Sequence, residues 1–553
     1  MSRDVVSRLR ALPQGVRFLI AGGGAAGVSW LVRFPLSAFM PFPAAVLAAA
    51  VIGMSIGFVA YRDFVFPGSG RPTSRQLADF LLVNATTSLA VAALAYLAAP
   101  VIAAVIPTRA AEAAAHALGI AFGAVLNFFG HHALTFRQTR PPAGSRAKAG
   151  LVTGAEPGSV PVHATLLLAA CLAGSVLVVY EALIGRASDD TDLWFLPWME
   201  QVIALGPIRS LTVGFANYTP PLLYLFSLAS LAHPWASPLL LIKLVSVVGS
   251  LCCAASVYGL LRIFRSGQVA VLGALAVLLL PTVALNGAAW GQSDAFYTAA
   301  LVACVAAALR RQSTTALIAF GVAVGFKLQA AFLGPFLLHV LIVQRVPIWK
   351  ALIAPAVYGA LMLPAWLAGR PAGELVAVYL DQAGLFRALS MNAPNPWSFV
   401  QRTGLPYELG VALGFGAAAL AGLALALRRP LDLSGTLLLA VTSAVAMPFL
   451  LPKMHDRYFF VADVLAFVLA LAVPRAWTLA AAVLIQLGSL GAYAAYLFGL
   501  KGGTYLGALA MAAALILLLA HLAPAEARCA ERAGWMRRRR AFTVRTKLAG
   551  PAG

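Results

Sequence analysis

The sequence predicts an all-α polytopic membrane protein, and three observations carry that prediction. Of 553 residues, 61% are hydrophobic and only 11% are Asp, Glu, Lys or Arg. The mean hydropathy is +0.87. The apolar residues are also gathered into runs long enough to cross a bilayer, cut by charged or Pro/Gly-rich breaks. Soluble domains carry roughly 45–50% apolar and about 25% charged residues, so a water-soluble enzyme is excluded, as are disordered, collagen-like and disulfide-rich chains. The five cysteines (Cys171, Cys252, Cys253, Cys304 and Cys529) follow no CxxC spacing. They indicate neither a metal site nor a disulfide framework.

Crossing the hydrocarbon takes about 20 mainly apolar residues, and cutting at the breaks yields about sixteen candidate spans. Four precede residue 131, near 17–35, 43–60, 77–106 and 114–130. The others lie near 163–184, 237–261, 269–288, 293–309, 314–326, 329–344, 350–367, 407–427, 434–450, 458–473, 476–499 and 504–522. The N-terminus lacks a small-residue cleavage site after its first apolar run, so the first helix is expected to stay. With that end in the cytoplasm, the even loops collect most of the 40 Lys and Arg, against 19 Asp and Glu in the whole chain. This is the positive-inside pattern. It makes the run Arg537 to Arg540 a topology anchor beside anionic lipid rather than a nucleic-acid site.

Residues 139–162 are polar, basic and rich in Pro and Gly, and they read as a cytoplasmic linker between two modules. Within the first module RFLIAGGG (17–24) is echoed by DFLLVNAT (79–86), and GFVAYRDFVF (57–66) by AVLNFFGHHALTF (124–136). These residues resemble the GtrA-like family of four-span proteins. Asn127, Phe128 and Phe136 fit its second ending, and Tyr61, Arg62 and Phe66 stand at the first. The resemblance implies a domain over 1–138 that moves or delivers polyprenyl-phosphate-linked sugars, with Arg62 and Asn127 as lipid-phosphate candidates. Arg62 also suits a positive-inside anchor, and the pair His131 and His132 an interfacial position.

In the second module charged groups at membrane depth are costly, so polar clusters mark function. Six segments stand out: ASDDTDLWFLPWMEQ (187–201), NYTPPLLY (217–224), WGQSD (290–294), FKLQ (326–329), MNAPNPW (391–397) and PKMHDRYFF (452–460). On the span count all of them fall on the non-cytoplasmic face. An aqueous site there has no access to cytosolic nucleotide sugars, but it can use a sugar carried on a lipid phosphate.

Together these segments resemble the GT-C membrane glycosyltransferases that use polyprenyl-phosphate sugars, over residues 163–523, with about twelve transmembrane helices, external loop helices and a basic tail at 524–553. The resemblance places the general base among the acids of the first external loop, Asp189, Asp190 and Asp192. Asp190 is favoured by its interval to LPW, and Asp192 is next. A carboxylate suits this task because the acceptor hydroxyl becomes acidic only as the glycosidic bond forms. Lys453, His455 and Arg457, with Lys327, supply donors for a leaving phosphate, and Arg457 is first among them because guanidinium binds phosphate bidentately. Asn217, Tyr218, Gln292, Asp294, Gln329, Asn392 and Asn395 are candidates to orient sugar or acceptor hydroxyls.

Structural alternatives stand beside these readings. Asp189 or Asp192 could pair with Arg186 and Arg209, Asp294 could cap its helix, and Pro394 to Pro396 could be a rigid turn. Trp194, Trp198 and Trp290 read as belt residues. Phe459 and Phe460 read as packing, and Asp456 as a support for Arg457. No cofactor is implied. A divalent metal on DDTD is the weaker reading because no His lies near it.

The whole reads as an inverting hexosyltransferase, with mannose or glucose favoured, acting on a glycan or glycolipid acceptor at the external face of a bacterial inner membrane. Nucleic acid is not among its partners. The rival reading is a flippase of the same lipid-linked sugar without transfer chemistry.

Overall fold

The computed structural model describes residues 14–36, 52–67, 72–87, scattered positions from 123 to 136, and 162–384, 387–500 and 502–523. They are almost wholly helical, as expected of chains whose backbone polar groups must be satisfied inside lipid, and the protein is an all-α polytopic membrane protein. It divides into two compact units, residues 1–178 and 179–553.

In the first unit, α1 (Gln14–Leu36) is followed by α2 (52–60) and α3 (73–87). At its lower end α2 widens into a π-helical turn, Tyr61–Val65, closed by the Phe66 N–H on the Tyr61 carbonyl at 2.8 Å. The same five-residue closure recurs where the Phe136 N–H meets the His131 carbonyl at 2.9 Å. The repeat read in the sequence therefore ends twice in one backbone device. Phe66 and Phe136 stack on each other with ring centroids 5.2 Å apart. Phe18, Phe58, Tyr61 and Phe80 complete an aromatic core, and Gln14 and Arg17 tie α1 to it by donating to the Val65 and Phe64 carbonyls.

His131 departs from the interfacial position expected for it. Its ring is fully buried, stacked on Phe80 at 4.9 Å and hydrogen-bonded to Thr135 and Asn84. The aromatic cluster and two polar partners make that burial affordable.

The second unit begins as α4 (Val162–Ile184) ends. Next come a π-helical turn, Thr191–Phe195, which continues directly into α5 (Leu196–Leu205), then α6 (Pro220–Ser230) and α7 (Pro238–Leu261). α8 (Gly267–Val277) and α9 (Pro281–Trp290) take the place of one expected span and are bent by 52° at their junction, where Pro281 cannot continue the preceding helix. There follow α10 (Asp294–Leu309), α11 (Ser313–Phe326), α12 (Leu328–Val343), α13 (Ile348–Ala368), α14 (Ala372–Gly384) and α15 (Trp397–Val400). The unit closes with α16 (Tyr407–Ala426), α17 (Leu433–Leu450), α18 (Phe460–Ala472), α19 (Ala476–Phe498) and α20 (Gly503–Ala523).

Six of these helices, α7, α13, α16, α17, α19 and α20, are long and apolar enough to cross a membrane, and the bent pair α8 and α9 makes up to seven such spans among the described residues. That is fewer than the span count expected from hydropathy. The expected spans near 43–60, 77–106 and 114–130 fall partly outside the described residues. Others sit where expected but are short: α10, α11, α12 and α18 are interrupted by the polar segments WGQSD, FKLQ and PKMHDRYFF. A helix that yields its end turn to polar side chains loses length, so shortening and site formation are one event.

Small residues let helices approach closely where hydrophobic driving force is absent. A Cβ at Gly491 would lie 2.3 Å from the Gly503 carbonyl oxygen, and one at Gly507 2.5 Å from that of Gly488, so α19 and α20 touch backbone to backbone. A short parallel ladder pairs β1 (Ser390–Met391) with β2 (Met454–His455), extended by a bridge between Asn392 and His455. It lashes the MNAPNPW segment to PKMHDRYFF.

Candidate functional site

Asp190 stands just before the π-helical turn at residues 191–195. Ser188 and Thr191 bond to each other at 2.9 Å, and the Thr191 hydroxyl donates to the Trp290 carbonyl at 2.8 Å, which clamps the acidic loop to the end of α9. The Asp190 N–H donates to the Tyr496 hydroxyl at 3.1 Å. Its carboxylate Oδ2 accepts from Trp290 Nε1 at 3.1 Å, Gln292 Nε2 at 2.8 Å and Arg457 Nη1 at 3.1 Å. About a fifth of the side chain (21%) remains exposed, while Asp189 and Asp192 are exposed without such a frame. The pairing of Asp189 or Asp192 with Arg186 or Arg209 does not occur among the described residues.

Asp294, the first residue of α10, is fully buried. Its Oδ1 accepts from Lys327 Nζ at 2.6 Å, and its Oδ2 accepts from Asn286 Nδ2 at 2.9 Å and faces Arg457 Nε at 3.6 Å. Arg457 thus spans two carboxylates, and Asp456 Oδ1 lies 3.6 Å from its Nη1. Burial pushes the Asp456 carboxyl up to about 7, against the opposing pull of Arg457. Burial also lowers His455 to about 3, helped by Arg457 and Lys327, so this imidazole is neutral near pH 7 and brings no cation. The segment expected to form a cationic cluster instead joins a mixed one, with two cations, Lys327 and Arg457, facing three carboxyl groups, Asp190, Asp294 and Asp456.

The other candidates are distributed around this cluster. Tyr218 lies under the Lys327 ammonium at 5.1 Å and packs edge-on against Trp198 at 5.5 Å. The Asn217 amide oxygen is buried without a hydrogen bond, as is that of Gln292. Gln329 is half-buried at the start of α12. Asn395 donates to the Pro448 and Leu451 carbonyls at 3.1 and 3.3 Å, which fastens the Pro-Asn-Pro turn to the end of α17. Asn392 adopts φ 58° and lines a cavity of about 520 Å³ with Ser398, Gln401, Thr504 and Tyr505 among its walls. The Lys453 ammonium lies over the Tyr407 ring at 5.7 Å. Phe459 and Phe460 are buried packing residues.

Two tryptophans read as belt residues prove to be interior. Trp198 is 6% exposed and Trp290 wholly buried, while Trp194 is 39% exposed. The Trp290 ring is stacked on Tyr496 at 4.7 Å and faced by the Arg457 guanidinium at 5.4 Å. It is a ligand of Asp190, and composition alone had hidden this. Tyr496, Tyr493 and Asn286 were likewise missed, because hydropathy treats them as span residues. The signal that could have found Asn286 is its place four residues before Trp290, on the same helical face. Among the described residues, no group of three or more His, Cys, Asp or Glu is placed to hold a metal ion.

In the first unit Arg62 is solvent-exposed and paired with Asp63 at 2.7 Å. The Asn127 amide oxygen is buried without a hydrogen bond.

Residues 17–107 match the GtrA/DPMS transmembrane domain. The match covers the first half of the aromatic repeat and ends before Asn127. A domain of this family implies involvement in handling lipid-linked sugars. No curated protein matches the chain.

Proposed function

We propose that the protein is an inverting membrane glycosyltransferase that moves a sugar from polyprenyl phosphate to an acceptor hydroxyl, the GtrA-like domain delivering or flipping the lipid-linked donor. One observation carries this reading: Asp190 and Arg457, 267 residues apart, meet at 3.1 Å with the carboxylate oriented by Trp290 and Gln292. A carboxylate with one oxygen saturated by three donors keeps its other oxygen in a fixed direction, which is what a general base requires. The GtrA/DPMS match supports the choice of donor.

In the proposed reaction the acceptor oxygen attacks the anomeric carbon from the face opposite the phosphate. Its proton passes to Asp190 Oδ1, the bond between the anomeric carbon and the phosphate oxygen breaks, and polyprenyl phosphate leaves with that electron pair. Inversion follows from a single displacement, with no covalent glycosyl-enzyme. Arg457 offers the leaving phosphate a donor, and His455 and Lys453 stand beside it on the same loop. Asp456 and Asp294 hold the guanidinium meanwhile. Gln292 and Asn217, with buried amide oxygens in need of donors, suit sugar hydroxyls. A hexose, mannose or glucose, fits this reading, as does a glycan or glycolipid acceptor on the external face of a bacterial inner membrane with both termini cytoplasmic.

The test is sugar transfer by purified protein in lipid, over a panel of polyprenyl-phosphate sugars and candidate acceptors. Asp190→Asn is expected to lower transfer at least about 100-fold, the usual contribution of a positioned base, while donor binding persists. Donor translocation in sealed vesicles, with no transfer and no effect of Asp190→Asn, would establish the flippase instead.

A further inference from the structure

Asp463 lies on α18, one turn inside the helix, and is 1% exposed. Among the described residues no Lys, Arg or His forms an ion pair with it, and the mechanism above does not use it. The hydroxyls of Thr282 on α9 and Ser489 on α19 face it, yet neither Oδ atom closes a hydrogen bond of ordinary geometry, nor does Ser489 Oγ. The Thr282 hydroxyl is hydrogen-bonded to the Gln486 amide, donating to Oε1 at 3.2 Å and accepting from Nε2 at 3.1 Å. One turn beyond Thr282, the Asn286 amide oxygen is also buried without a hydrogen bond. Its nitrogen is committed to Asp294 at 2.9 Å and to the Tyr493 hydroxyl at 3.3 Å.

An ionised carboxylate inside a membrane helix bundle must be neutralised locally. Among the described residues no basic side chain does this. A proton would supply a single donor, whereas both Asp463 oxygens, Ser489 Oγ and the Asn286 amide oxygen are buried without a hydrogen bond, and Thr282 is bonded only to the Gln486 amide. Hard cations take oxygen ligands of this kind, carboxylate and neutral together. One carboxylate balances one positive charge, and a divalent ion would leave an uncompensated charge in the bundle.

We propose that Asp463, Ser489 and Thr282, with Asn286 or Gln486 completing the shell, bind a monovalent metal cation. The site is separate from the Asp190 cluster but joined to it through Asn286, whose amide nitrogen holds Asp294. An occupant that draws the Asn286 oxygen toward Asp463 fixes that amide and, through it, the carboxylate that Lys327 and Arg457 share. The proposal stands whether the second unit transfers sugar or only moves it.

The experiment is thermal unfolding of the full-length protein in lipid nanodiscs, in NaCl, KCl and choline chloride at matched ionic strength and at several pH values. The expected result is a saturable upward shift of Tm with Na+ or K+ that choline does not produce, absent in Asp463→Asn and reduced in Ser489→Ala. Ser489→Ala carries the test alone if Asp463→Asn does not fold. Equal Tm values in all three salts would overturn the proposal, as would a cation-dependent shift that persists in Asp463→Asn. A wild-type Tm that falls with rising pH identically in every salt would show a proton in the cation's place.

Discussion

Replacing Lys327 by Met removes the positive partner of Asp294 while roughly keeping the side chain's length. The two groups are 2.6 Å apart and almost entirely buried. At an effective dielectric near 20 their attraction is about 6 kcal/mol, offset by the cost of taking both charges out of water. Deleting one member of such a buried pair typically costs about 3–5 kcal/mol because the other is left uncompensated. Asp294 would keep Asn286 at 2.9 Å and Arg457 at 3.6 Å, which places the expected loss near the lower end, about 3 kcal/mol. Thermal unfolding in nanodiscs should show Tm falling by several degrees. The double variant Lys327→Met with Asp294→Asn, which removes both charges, should recover much of that loss in a double-mutant cycle. A single variant within about 1 kcal/mol of wild type, or a cycle with no coupling energy, would refute the idea that this pair is held by mutual charge compensation.

Three further outcomes are expected. Gly291 has φ 76°, and a Cβ there would stand 3.3 Å from both Ile242 Cγ2 and Lys243 Cδ. Gly291→Ala should therefore cost about 1–2 kcal/mol for the left-handed backbone alone and loosen Gln292, read as a lower Tm and weaker transfer. Asp456 is raised to about 7 by burial, so its contribution to stability is full below its unfolded value and is lost as pH rises through about 7. Asp456→Asn should flatten the pH dependence of Tm between about pH 4 and 7, and an unchanged pH profile would show that the carboxyl is not the group responsible. Arg457→Lys keeps a charge but cannot span Asp190 and Asp294 with one planar fork. It should depress transfer nearly as far as Arg457→Ala, and an active Lys variant would remove the bidentate argument.

Much of the helical framework was legible because the bilayer imposes it. The expected ends 237–261, 407–427 and 476–499 differ from α7, α16 and α19 by a residue or so, since a hydrocarbon layer admits only apolar runs of fixed length. The helices α5, α6 and α14 could not be delimited that way, lying in loops where hydropathy and burial part company. Asp463 shows the same limit from within a span, where one carboxylate in an apolar run barely alters the mean.

The sequence by itself determined that this is an all-α membrane protein, where its longer helices run, and which polar segments interrupt them. It ranked Asp190 before Asp192 through a family resemblance and Arg457 before Lys453 through the geometry of guanidinium, without naming what either residue touches. Only the tertiary structure gave Asp190 its partners, bringing Trp290 and Gln292 from one part of the chain and Arg457 from another onto its carboxylate. Hydropathy is a local property set by each residue's transfer between water and lipid. A hydrogen bond or ion pair is a relation between residues, and it exists only once packing has brought them within about 3 Å of each other.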